Sequence, residues 1–385
     1  VRPDLEHIGS WEPSREVQPG VYAHTDYDLE RPTVDLLAKK VAQRTHSGSD
    51  YEVYDYPGDY AQRFDGENYA GIRIDEFGTR FETVEATTNA RGLAVGHLLN
   101  VVGHPRDDQN REYLITAASH DLEFSDYEAM PDRTGASYKC SFVAMSSQQQ
   151  FRPRRITPKP FMQGPHTAVV VGPAGEEIHS EKFAQVKVQF HWDRYGKRDE
   201  NSSCWIRVVQ PWAGKGWGSL VIPRIGHEVM VEFIEGDPDR PIVTGSVYNG
   251  ENMPPYPQPG SAVVSGLKSN THKGKGYNEM SMDDTTGKEK ITIHAQYDMG
   301  TTVEHDQTNT VHGKMTEVID KDTSITITTG KLEHNVKTAT PAYYDKGALT
   351  QKFEDIWESK VTGKVSIKSD ADIHIDSDTK ITLVT

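Results

Sequence analysis

Little in this chain is apolar, and nothing in it is apolar for long. Aliphatic and aromatic residues make up 35% of its 385 residues, and the mean hydropathy is -0.66. No stretch reaches the roughly 18 apolar residues that a bilayer-spanning helix requires. Nor do the first residues show the charged-then-apolar order of a cleaved signal peptide, so any export is expected to use another route. Cysteine is almost missing: Cys140 and Cys204 stand alone, which excludes a disulfide framework and suits assembly in a reducing compartment. Positive charge is also short, with 42 Lys+Arg against 57 Asp+Glu and a net charge of -15. That balance argues against nucleic acid, whose phosphates demand clustered cations. The one basic run, Arg152, Arg154, Arg155 and Lys159, is interleaved with prolines and reads as a linker.

What is plentiful argues against disorder. Six Trp, 17 Tyr and 11 Phe recur in patterned segments, so the low apolar share points to an elongated fold with little core per residue. The chain opens at Val1 without an initiator Met and stops at Thr385 in mid-alternation, and the natural protein is expected to be longer at both ends.

Residues 1–150 read as an α+β region. Asp35 to Lys40 is a short amphipathic run, and Tyr54 to Tyr60 is rich in turn residues. Asn68 to Phe77 predicts a helix with Ala70, Ile72, Ile74 and Phe77 as its apolar positions, weakened by Gly71. Strands are predicted at Phe81, Thr83, Glu85 and Thr87, at Leu98–Val102, at Tyr113–Ala118 and at Ser141–Met145. Residues 151–166 form a proline-rich, extended linker.

Residues 167–250 read as all-β. Val186, Val188, Phe190 and Trp192 alternate with polar residues, the period of a half-buried strand, and are assigned to a barrel core with Val229 and Val231. Ala168–Val171, Cys204–Val209, Leu220–Ile222, Glu228–Ile234 and Ile242–Val247 are further strand candidates. Five or six short strands in about 80 residues suit a small OB-type barrel.

A connector, residues 251–287, leads to a change of pattern over 288–385. Paired apolar residues two apart recur in a polar frame: Ile291 and Ile293, Ile325 and Ile327, Val365 and Ile367, Ile373 and Ile375, Ile381 and Leu383. Such a narrow apolar edge cannot bury itself inside one chain, and left bare it would promote aggregation. The expected solution is an intertwined β-helix or prism stem shared by several chains, with these ten residues as its core.

The barrel motifs resemble those of the VgrG spike proteins of type VI secretion systems. They are Gln185–Gly196, Cys204–Val208, Pro223–Val229 and Gly236–Pro241, and Tyr277–Glu279 with Ile293–Gln296 is similar to the start of the family's stem. Tyr54–Gly58 resembles the later part of its phage-hub-like domain. The resemblance covers nearly the whole chain, most strongly residues 50–300. It implies a fold mainly of β structure: part of a hub-like α+β domain, an OB barrel, and a truncated trimeric stem. It also implies a homotrimer on an Hcp tube, with a PAAR-type tip protein and carried effectors or their adaptors, driven through a target-cell membrane. The spike would assemble in the bacterial cytoplasm and leave without a signal peptide.

His191 and Asp193 could suggest a general base, but on a strand they share one face and no positioned nucleophile accompanies them. His294, His305, His312 and His334, spaced 11, 7 and 22 apart, match no chelating motif, although a threefold axis would triple any one of them. His374, between Ile373 and Ile375, faces outward. Asp283, Asp284, Asp370, Asp372, Asp376 and Asp378 lack any calcium-loop pattern. Gly214–Gly218 lacks the ending of a phosphate loop and reads as a flexible barrel loop. No catalytic residue, cofactor or metal ligand is therefore assigned. Three functional readings remain open: a puncturing spike of a secretion machine, a phage or prophage tail spike or baseplate hub, and a β-helical tailspike that cuts polysaccharide. The last would need paired carboxylates roughly 5–10 Å apart among sugar-stacking aromatics. The stem has few aromatics beyond Tyr297, Tyr343, Tyr344, Phe353 and Trp357.

Overall fold

The computed structural model describes residues 5–124, 137–334, 351, 357, 359–369, 372–379 and 381–382. Up to Gln296 these residues form one compact unit, and from Tyr297 onward a second.

The first unit begins with an antiparallel five-stranded sheet in the order β1-β5-β8-β7-β6. Its strands are β1 (Ile8–Arg15), β5 (Glu82–Thr88), β6 (Leu98–Asn100), β7 (Glu112–Glu123) and β8 (Ser137–Ser146). On β5 the buried residues are Val84, Ala86 and Thr88, so the predicted row Phe81, Thr83, Glu85, Thr87 is the opposite face. The core pairs Val84 and Ala86 with Tyr113, Ile115, Phe142 and Ala144, whose alternation along β7 and β8 matches the pleat.

A second sheet, β3-β2-β4, consists of β2 (Val21–His24), β3 (Ala38–Val41) and β4 (Glu52–Asp55). All four residues of β2 are buried. The run Asp35–Lys40 thus ends as part of an edge strand, and the turn-rich stretch Tyr54–Tyr60 begins inside another, β4. Helix α1 (Arg63–Thr79) covers this sheet. It extends the predicted Asn68–Phe77 segment at both ends and buries Gly66, Ala70, Ile74 and Gly78, one residue per turn. Gly66 admits the ring of Tyr60, because a Cβ there would lie 2.4 Å from it, whereas Gly71 faces open space and leaves the helix intact.

The barrel has the order β10-β9-β12-β13-β11. Its strands are β9 (His166–Val171), β10 (Lys187–Phe190), β11 (Arg207–Val208), β12 (Glu228–Phe233) and β13 (Pro241–Val247). The two edge strands are drawn together by a reciprocal backbone pair between Val186 and Ile206, at 2.9 and 2.8 Å, which closes the sheet on itself. Val186, Val188, Val229 and Val231 lie fully inside with Ala168, Val170, Ile206 and Val243, and Phe190 packs against them. Trp192 does not. It is 60% exposed, because β10 ends at Phe190 and the chain turns, leaving Trp192 stacked on the outer side of the Phe190 ring. Leu220–Ile222 forms no strand, and Leu220 and Val221 are exposed.

Beyond the barrel, β14 (Val264–Lys268), β15 (Glu279–Asp283) and β16 (Lys290–His294) form a three-stranded antiparallel sheet. In the second unit no strand is formed within the chain among the described residues.

Candidate functional site

Two places combine specific chemistry with a structural role: a partly buried charge cluster between the hub-like sheets and the barrel, and the apolar face of the β14–β16 sheet.

The charge cluster is built from five side chains. Asp26 follows β2, Asp59 follows the Tyr54–Gly58 motif, Lys159 lies in the proline-rich segment, and Asp237 and Arg240 occupy the tight turn between β12 and β13. Arg240 Nη2 donates to both oxygens of Asp26, at 2.8 and 2.7 Å. Asp26 also accepts the backbone N–H of Tyr27 at 2.6 Å and that of Asp59 at 2.7 Å. Lys159 Nζ donates to Asp237 at 2.6 Å and to both oxygens of Asp59 at 3.3 Å. Three carboxylates are thus shared between two cations, with Asp26 and Asp237 buried.

Burial alone would raise the pKa values of Asp26 and Asp237. The hydrogen bonds from Arg240 and Lys159, respectively, outweigh it with the backbone N–H donors and hold both carboxyls below their ordinary value. Burial, and then the Asp26 carboxylate, pushes the Tyr60 hydroxyl up to about 12. Tyr60 therefore stays a donor, and its hydroxyl bonds the carbonyls of His24 at 2.9 Å and Leu36 at 2.6 Å. The proline-rich segment is consequently no free tether. Arg152 N–H donates to Thr79 Oγ1, Met162 N–H donates to Gly236 O at 2.8 Å, and the Phe161 ring lies over Gly236. Gly236 has φ +72°, and a Cβ there would fall 2.1 Å from Phe161 Cε2. A cluster so fully paired does not offer a reactive group; it fixes two folded parts against each other.

The second place is set by register. Leu267 pairs with Met280 and Met280 with Ile293, while Met282 pairs with Ile291. All five side chains project from one face of the sheet, and all are exposed, up to 78% for Leu267. The other face is polar and partly covered: Ser281 is buried, and Tyr256 donates to Glu279 at 3.0 Å.

The remaining predicted stem residues Ile325, Ile327, Val365, Ile367, Ile373, Ile375 and Ile381 are exposed in the single chain, and Leu383 lies outside the described residues. Tyr343, Tyr344, Phe353 and Asp370 also lie outside them. His191 and Asp193 sit in a turn, not on a strand. His191 Nε2 approaches Glu228 Oε1 at 3.8 Å, and Asp193 accepts the backbone N–H groups of Tyr195 and Gly196 at 3.0 Å, which makes it a turn former. His294 bonds the Tyr277 carbonyl at 3.0 Å. Gly214–Gly218 is a closed hairpin and not a flexible loop: Gly214 N–H donates to Trp217 O and Ser219 N–H to Trp212 O, both at 2.9 Å. The charge cluster itself was invisible in sequence. Its traces are that the Gly236–Pro241 motif contains Asp237 and Arg240, that Asp59 follows the Tyr54–Gly58 motif, and that Lys159 ends the basic run.

Comparison with known proteins follows the same segmentation. Residues 2–126 match the sequence model of the phage tail baseplate hub (GPD). Residues 168–248 match the type VI secretion system/phage-baseplate injector OB domain, and 265–342 the bacteriophage T4 gp5 C-terminal trimerisation domain. The type VI secretion system spike protein VgrG1b of Pseudomonas aeruginosa is 47% identical over 320 residues, 82% of this chain and 43% of its own length. VgrG1a of the same organism is 47% identical over 306 residues, 79% of this chain and 48% of its own length. The E. coli c3393 protein, a type VI secretion component described as similar to T4 tail proteins gp27 and gp5, overlaps 64% of this chain and 48% of its own. It does so at 19% identity and a TM-score of 0.38. This chain spans a little under half the length of the curated relatives it matches. Three consecutive domain matches, and close identity over four-fifths of the residues, place the chain in the VgrG spike family of type VI secretion systems.

Proposed function

We propose that the chain is a mechanical part: three copies share the β14–β16 face and the stem beyond it, forming a spike that carries no chemistry of its own. The observation that supports this reading is the exposed row of Leu267, Met280, Met282, Ile291 and Ile293, lying within the residues that match a trimerisation domain. Burying one such side chain fully is worth roughly 1.5–3 kcal/mol, so the five, already partly covered in one chain, leave roughly 4–9 kcal/mol per chain to be gained by association. The apolar pairs from Ile325 to Ile381 would likewise be buried between copies, each strand donating backbone hydrogen bonds to neighbouring chains. Pulling one strand free would then break many bonds at once, which is the property a puncturing device requires. Such a spike would sit on an Hcp tube, bear a PAAR-type tip and carry effectors or their adaptors. It would be assembled in the cytoplasm and expelled through a target membrane by sheath contraction.

Sedimentation of the purified chain at low micromolar concentration tests the reading. A stable threefold mass is expected. A folded monomer that buries the β14–β16 face by itself would refute it.

A further inference from the structure

A groove of about 700 Å³ runs along the barrel beside Tyr27 of the hub-like part. Four aromatic rings line it, Tyr27, Phe183, Trp212 and Trp217, each between 43% and 65% exposed. All four are held in place. Tyr27 follows Asp26, whose carboxylate accepts its backbone N–H at 2.6 Å, so the charge cluster fixes that wall. Phe183 N–H donates to Glu181 Oε1 at 2.8 Å. Trp212 and Trp217 meet edge to face at 5.0 Å on the closed hairpin, which the Gln210 side chain pins through both backbone groups of Val221, at 2.9 and 3.0 Å. The Trp217 indole lies across Gly214, where a Cβ would fall 2.3 Å from Trp217 Cε2, so its exposed area is on the opposite side.

Charge in the groove runs against the rest of the molecule. The chain carries 57 Asp+Glu against 42 Lys+Arg, yet among the described residues no carboxylate lines the groove. Lys182 and Arg207 do line it, and Lys215 stands on the hairpin between two lining glycines. Arg207 and Lys215 are exposed and have no ion pair among the described residues, while Lys182 is shared with Glu30 at 3.4 Å. A ligand suited to this groove has flat apolar faces for the rings and widely spaced negative charges for the cations. The face of an aromatic ring is negative and attracts polarised C–H groups, which the faces of a pyranose sugar present. A nucleic-acid strand also has flat faces, but one negative charge per nucleotide is more than three cations in an acidic chain can offset. An oligosaccharide with a carboxylate on alternate sugars meets both demands. The groove's volume also lies within the about 300–1,000 Å³ of small-ligand sites. Glycoside hydrolysis ordinarily uses two carboxyl groups, and the described lining has none, so the groove is built for binding and not for cleavage.

We infer that this groove binds an acidic oligosaccharide, with sugar rings stacked on Trp212 and Trp217 and a carboxylate held by Arg207. Titration of the full chain with a hyaluronan tetrasaccharide, in which uronic acid alternates with N-acetylglucosamine, tests it by tryptophan fluorescence. Neutral chitotetraose is titrated beside it. The expected result is a saturable change below about 5 mM for the hyaluronan probe and about tenfold weaker binding of chitotetraose, the worth of one charge-assisted contact. Arg207→Gln should bring the two probes within about twofold of each other while leaving chitotetraose binding unchanged, which an unfolded barrel could not do. Trp217→Ala should weaken both at least about fivefold. No saturable change with either probe up to about 10 mM, equal affinity for the two in the native chain, or binding unmoved by both substitutions would overturn the assignment. Tighter binding of hexathymidylate or of hexaglutamate would overturn it too, and would give the groove to single-stranded nucleic acid or to an acidic peptide.

Discussion

Arg240 and Asp26, 214 residues apart, form a bond in which one guanidinium nitrogen serves both carboxylate oxygens, at 2.8 and 2.7 Å. Through it the turn between β12 and β13 grips the segment after β2, and the barrel is keyed to the hub-like part. Removing one partner of a buried pair leaves the other charge desolvated. Because Arg240 is partly exposed, the cost is expected below the fully buried range, at about 2–3 kcal/mol for Arg240→Ala. Denaturant unfolding of the full chain measures it, and a cost within about 0.5 kcal/mol of zero would show that the pair does not hold the junction.

The same carboxylates make the junction acid-sensitive. Asp26 and Asp237 titrate below their ordinary value of 3.8 when folded. Their contribution is therefore complete above that value and is lost as pH falls through their folded-state values. The unfolding midpoint should decline below about pH 4 more steeply in the native chain than in Asp26→Asn. Parallel curves for the two proteins would contradict this.

Gly236→Ala combines two penalties that can be separated. Its φ of +72° disfavours any side chain, and the new Cβ would meet the Phe161 ring. The substitution is expected to cost at least about 2 kcal/mol. Adding Phe161→Ala should remove the clash and leave about 1 kcal/mol of backbone cost beyond the effect of Phe161→Ala alone. A strictly additive double variant would mean the ring moves aside freely.

Charge placed on the β14–β16 face should abolish assembly without unfolding the barrel. Ile293→Asp is expected to shift sedimentation from trimer towards monomer or aggregate, while Ile293→Val keeps the native mass. Circular dichroism and the barrel's unfolding transition report whether the rest is intact. An unchanged trimer for Ile293→Asp would remove this face from the interface.

Trp192 and Val229 offer a contrast between pattern and position. Trp192→Ala should cost under about 1 kcal/mol because the ring is outside the barrel, whereas Val229→Ala should cost about 2 kcal/mol or more. The two unfolding midpoints decide it, and a larger loss at Trp192 would reverse the assignment.

Elements with a strong local period were legible in the sequence. The helix at Ala70 and Ile74, the strands around Tyr113 and Phe142, and the alternation of Val186 and Val188 with Val229 and Val231 all follow from side chains that repeat at 3.6 or 2 residues. Where the period ran past its element, reading failed. Trp192 continues the Val186 pattern by two residues, but the backbone turns after Phe190, and nothing in the alternation marks that end. The alternation of Phe81, Thr83, Glu85 and Thr87 marked a strand, and the structure adds that Val84, Ala86 and Thr88 form its buried face.

Composition and pattern alone determined an acidic, β-rich chain in which apolar pairs two residues apart recur after Lys288. Those properties depend only on which residues occur and how they alternate. Tertiary structure decided the rest. Asp26, Asp59, Lys159, Asp237 and Arg240 acquire a shared role only when strand and turn geometry brings distant segments within bonding distance. The face on which Leu267, Met280, Met282, Ile291 and Ile293 meet exists only once cross-strand register is set. Pairing over such separations depends on chain closure and packing, which no local spacing encodes.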